Sequence, residues 1–166
     1  KGKFVAKYKS ASRTKSIRLV VSVAMALTGL LFFLALVFED IAELTDLSIT
    51  EQPWALILRY AIAMTLGGAT SGAALTALFG REGILGWGAA LLGGLVAISV
   101  AGVVGSLFGL IPELLSQGWQ STYLVAIASG ALVLPLAWSG WPFLIPIWAV
   151  MVGYTHINAR RSRMRL

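Results

Sequence analysis

Residues 84–110 read ILGWGAALLGGLVAISVAGVVGSLFGL. Small residues recur in this stretch at a strict four-residue step: Gly93, Ala97, Ala101, Gly105 and Gly109. A neighbouring row holds Ala90, Gly94, Gly102 and Ser106. Four-residue spacing stacks side chains on one face of a helix. A face of Gly and Ala lets another backbone come close, and such packing drives helix association in lipid. The preceding arm, from Trp54, carries a similar row: Gly68, Gly72, Thr76 and Gly80. Only Arg81, Glu82 and Gly83 separate the two arms. The pattern predicts two antiparallel membrane helices in tight, Gly/Ala-rich contact.

Composition points the same way. The chain has 166 residues, 58% of them hydrophobic and 12% charged, with a mean hydropathy of +0.84. Ordinary soluble domains are about 25% charged. Several apolar runs approach or exceed the ~18 residues of a membrane-span candidate. The fold expected is an all-α integral membrane protein. There is no cysteine, which removes disulfides, thiolate chemistry and Cys-ligated metals.

Charge is segregated along the chain. Residues 1–18, KGKFVAKYKSASRTKSIR, hold seven basic residues, Lys7, Lys9 and Arg13 among them, and no acid. This arm reads as a cytoplasmic topology signal in contact with anionic lipid. Nucleic-acid binding is the weaker reading of a basic arm beside a membrane span. No cleavable signal peptide is expected, because the first apolar stretch is long and lacks a small-residue cleavage site. Span one, from about Leu19 to Phe38, is rich in Leu, Val and Phe and holds one glycine, Gly29. It is expected to face lipid more than the glycine-rich hairpin does.

Five of the seven acids fall between Glu39 and Gln52. Their spacing matches no calcium loop, so a solvated outer loop is expected, with Ile41, Leu44 and Leu47 lying on the membrane surface. Span two follows from Trp54 to Phe79. Arg59 is the one charge placed at helix depth in it, which makes it a candidate for a lipid or partner contact. It lies ~7–8 Å past Trp54, within snorkelling reach of the outer surface and of Glu51 or Asp46.

Span three ends at Pro112 and Glu113, and a polar loop from Ser116 to Thr122 carries Trp119 as an interfacial anchor. The stretch Tyr123 to Ile157 is harder to divide. As one straight helix it would be ~50 Å long, beyond a ~30 Å hydrocarbon core. Pro135, Pro142 and Pro146 interrupt it. It is either one kinked span or two short ones. The tail, with Arg160, Arg161, Arg163 and Arg165, prefers the cytoplasm, as the first arm does. Two ends on one side require an even number of spans. Four are expected, and five with the tail outside is the alternative. The domains are then a basic arm at 1–18, one transmembrane domain at 19–158 and a basic tail at 159–166.

Reactive groups are scarce. His156 is the only histidine. It is a weak candidate for holding a haem or chlorophyll metal and a better one for an interfacial packing residue. No Ser-His-Asp or Cys-His set can be assembled, and the glycine-rich runs follow no strand and lack the lysine of a phosphate loop. Coupled carriers need ionisable residues deep in the membrane, and apart from Arg59 the first three spans hold none.

The function expected is therefore a non-catalytic, accessory or structural membrane subunit. It would pack through Gly68, Gly72, Gly80, Gly93, Ala97, Ala101, Gly105 and Gly109, and through the Trp-rich final segment, inside a larger complex such as a respiratory or photosynthetic one. Its setting would be a bacterial inner membrane. Its partners would be other membrane proteins and anionic lipids, the latter meeting Arg59, Lys7, Lys9, Arg13, Arg160 and Arg161. Bound lipid is expected; no cofactor or metal is, although a pigment is compatible with the aromatic end. The alternative is a homo-oligomeric pore built on the small-residue face.

Overall fold

The computed structural model describes residues 2–43, 54–140 and 142–164. Among these the chain is all-helical. The helices are α1 (Gly2–Glu43), α2 (Trp54–Ala74), α3 (Gly83–Gly109), α4 (Ile111–Gln117), α5 (Thr122–Ser129), α6 (Val133–Gly140) and α7 (Leu144–Met164). Short 3-10 turns follow α2 and join α5 to α6. Four stretches are long and apolar enough to cross a membrane: Ser16–Val37, Trp54–Leu78, Gly83–Gln117 and Thr122–Ser139. α7 is not among them because its last two turns, NARRSRM, are polar. The acidic stretch from Leu44 onward, with Asp46 and Glu51, and the residues Trp141 and Arg165 lie outside the described residues.

The helices form one bundle, and close approaches at glycine fix its directions. A Cβ placed on Gly29 would meet the Met64 carbonyl at 2.6 Å, and one on Gly72 would meet Met25 at 2.8 Å. α1 and α2 therefore run antiparallel. One on Gly67 would meet the Ala101 backbone at 2.9 Å, and one on Gly105 would meet Met64 at 2.6 Å. α2 and α3 are antiparallel too. Gly94 faces Trp148 and Val152, and Trp87 lies beside Gly153, so α7 runs against α3.

One expectation changes in part. Span one is less buried than span three but no more open than span two, the first arm of the hairpin: α1 makes its most extensive contact with α2 and also packs on α7. Val21, Met25, Thr28, Phe32 and Phe33 are buried in the core. The glycine row of α2 is the reason. Gly68 and Gly72 point at α1, with Gly68 against the Met25 backbone, and do not face the small-residue row of α3. Glycine on both partners at Gly29 and Gly68 brings these two backbones together, which Leu or Val there would prevent. α3 stops at Gly109, within a residue of the expected end of span three, and Pro112 lies in the first turn of a further short helix, where its missing N–H costs nothing.

The final third meets α3 at successive levels. Gly102 is in contact with Gly130 and Val133, and Gly94 with Trp148 and Val152. The eight residues from Gly94 to Gly102 rise ~12 Å, whereas Gly130 to Val152 would cover roughly 33 Å as a straight helix. The segment therefore is not one straight helix lying along α3, and it is interrupted between α6 and α7, near Pro142. α5, α6 and α7 together thus lead from the Gly109 end of α3 to its Gly83 end.

Candidate functional site

The small-residue face of α3 is covered on both sides by this chain. Gly93 abuts Phe79 and Leu78, Ala97 offers its carbonyl to Ser71 Oγ (3.3 Å), and Ala101 meets Gly29 and Gly67. Gly105 lies on Met64, and Gly109 on the Tyr60 ring, which in turn stacks on Phe33. The second row meets the last third of the chain: Gly94 on Val152, Gly102 on the Gly130 carbonyl, and Ser106 on Gly130. The row is a seam inside the bundle, so the surface left for other molecules is the apolar exterior.

The turn between α2 and α3 is locked from below. Gly80 and Gly83 have φ of 73° and 74°, a region that glycine enters without steric cost. At Gly80 the Ala159 and Arg160 backbone fills the space a side chain would take. Gly80 N–H donates to His156 Nδ1 (3.2 Å). An acceptor at Nδ1 carries no proton, so the ring proton belongs on Nε2. The imidazole lies against Trp87, centroids 4.5 Å apart, and is 1% exposed. A haem or chlorophyll would have to displace these neighbours to reach it. The role assembled here is a clamp between the turn and α7. Gly80 belongs to this clamp and not to the glycine row of α2.

Proline chemistry explains the broken segment. Pro135 has no N–H for the Ala131 carbonyl four residues earlier. Ser99 Oγ donates to that oxygen instead (3.0 Å), the kind of side-chain rescue that lets proline sit in a membrane helix. Pro142 likewise removes the donor that a continuous helix would supply to Trp138. Around this break Trp138 and Phe143 are 66% and 71% exposed. Ala137 and Leu144, on the inner side, are buried.

Arg59 sits in the second turn of α2, half-buried, and its Nη1 is fully enclosed with no hydrogen-bond partner among the described residues. Its expected partners, Glu51 and Asp46, lie outside those residues. Lys7, Lys9 and Arg13 fall on the first turns of α1. Arg160 and Arg163 follow His156 at helical spacing and face the α2–α3 turn, where Arg163 Nη2 reaches the Thr76 carbonyl (3.5 Å). Arg161 is exposed on another side of α7. Among the described residues no group of three or more His, Asp or Glu is gathered as metal ligands would be.

Sequence reasoning passed over Ser99, Trp87 and Gly130. Ser99 and Pro135 are far apart in the chain, and nothing local links them. The chain matches no protein family, no curated protein and no solved structure.

Proposed function

We propose that this chain is a non-catalytic membrane subunit that crosses the bilayer four times and docks another integral membrane protein at the α6–α7 break. α2 and α3 form its tight central hairpin. α5, α6 and α7 share the fourth crossing. Both basic ends lie on the cytoplasmic side with the Arg81 turn, by the bias of Lys and Arg toward that side.

One observation carries the reading. The break falls between Val133, which meets Gly102, and Trp148, which meets Gly94, and the large side chains that flank it, Trp138 and Phe143, are exposed. Non-helical backbone at membrane depth is tolerated where protein or a water-filled cavity covers it. Trp138 and Phe143 are large apolar anchors of the type that dominate interfaces. A transmembrane helix of a partner would cover the break and bury both. A pore built on the small-residue row draws no comparable support, because the chain's own helices cover that row.

Purification from the native membrane in mild detergent tests the proposal. A stoichiometric partner should co-isolate, and the double variant Trp138→Ala/Phe143→Ala should lose it while melting like the parent chain. Recovery of the parent chain alone, as a monomer, contradicts the reading.

A further inference from the structure

A groove of about 620 Å³ runs between α1 and α7, within the size range of small-molecule sites. We propose that it holds one anionic phospholipid, with an acyl chain along the groove and the phosphodiester at Arg161. The inference rests on the membrane-spanning reading above.

The groove is graded along its length. Leu27, Val23 and Leu19 of α1 and Met151 of α7 line its apolar part. Asn158 and Arg161 line the other end. Because α1 and α7 are antiparallel, that polar end lies at the level of Arg18 and Leu19, where the basic part of α1 gives way to its apolar part. It is therefore the headgroup end of the bundle, and the apolar part points toward the bilayer centre. No acid lines the groove, and Arg161 has no carboxylate partner among the described residues. The Asn158 amide is turned back to the Tyr154 carbonyl (3.0 Å), which leaves the guanidinium to meet the ligand. Its forked donors match two phosphate oxygens.

Charge selects among occupants. Basic pockets between membrane helices on the cytoplasmic side are sites for anionic headgroups. A second copy of this chain would bring its own Arg18 and Arg161 to the same level and be repelled. A zwitterionic lipid could lay its chain in the groove but would place its own cation beside Arg161.

The full chain in neutral detergent is offered phosphatidylglycerol, phosphatidylcholine of the same acyl chains, or inorganic phosphate, and bound adducts are counted by native mass spectrometry. One phosphatidylglycerol should be retained, with a preference over phosphatidylcholine of about fivefold, the worth of one basic residue near a headgroup. Arg161→Gln should abolish the preference. Val23→Trp, at an exposed position that grows into the groove, should weaken retention of both lipids. Inorganic phosphate alone should not be retained. Equal retention of the two lipids, an unchanged preference in Arg161→Gln, or unchanged retention in Val23→Trp overturns the proposal. So does retention of free phosphate as strong as that of the lipid, or a polypeptide displaced by Val23→Trp. Failure here would leave co-isolation of a partner at Trp138 and Phe143 unaffected, so the two readings fail separately.

Discussion

Replacing Gly102 with Ala should loosen the bundle far more than the same change at Gly88. The added Cβ at Gly102 would strike the Gly130 carbonyl and the Val133 side chain. A carbonyl in the backbone cannot rotate away, so α3 and the α5–α6 segment must separate. Overpacking of this kind costs ~1–3 kcal/mol. Separation also stretches the adjacent Ser99–Ala131 hydrogen bond, worth ~0.6–1.7 kcal/mol between membrane helices. The loss should total about 2–4 kcal/mol, or a fall in melting temperature of roughly 5–15 °C for a chain of this length. Gly105→Ala is the intermediate case. Its Cβ meets Met64 Cγ at 2.6 Å, a flexible side chain that can shift, so ~1 kcal/mol is expected. A Cβ at Gly88 meets nothing within 4 Å, and its variant should melt within ~0.5 kcal/mol of the parent. Thermal unfolding in mild detergent, followed by tryptophan fluorescence, ranks the three. If Gly102→Ala melts with Gly88→Ala, the close contact on which the packing argument rests is absent.

Ser99→Ala should leave the Ala131 carbonyl without its substitute donor and cost about 1 kcal/mol, read in the same melting assay. His156→Ala should release the Gly80 N–H and leave a void beside Trp87. A loss of ~2–3 kcal/mol is expected, with faster hydrogen exchange at the Gly80 amide. Gly80→Ala should cost more than Gly83→Ala. Both have positive φ, but only Gly80 also faces the Ala159 backbone. The strain shared by both is on the order of 1–2 kcal/mol, and equal melting of the two variants would remove the clamp from the account.

Much of the helical plan can be read from the residues. The Leu/Val runs mark three of the stretches long enough to span, and the Arg81–Gly83 segment marks the turn. Pro135 and Pro142 announce a broken final segment. The partners of each face are another matter. The row Gly68–Gly72 says that a backbone comes close but carries no address, because α1 and α3 are both apolar helices with small residues at similar spacing. The structure seats it on α1, against Met25 and the backbone of Val21 and Ala26. The same limit hid the place of α1, whose Leu/Val/Phe composition suits lipid and core alike. The clamp of Gly80, Trp87 and His156 joins residues more than sixty positions apart. No local pattern signals such a contact, and a lone histidine beside arginines suggests a surface.

The depth of the break, and with it the docking proposal, depends on α5, α6 and α7 making one crossing between them. The chain has no cysteine, so single cysteines introduced by Ser10→Cys, Ser116→Cys and Met164→Cys can report their side to a membrane-impermeant maleimide. In sealed right-side-out vesicles position 116 alone should be labelled, with positions 10 and 164 reacting only after permeabilisation. Labelling of position 164 from outside while position 10 stays protected would mean five crossings and would contradict that single crossing.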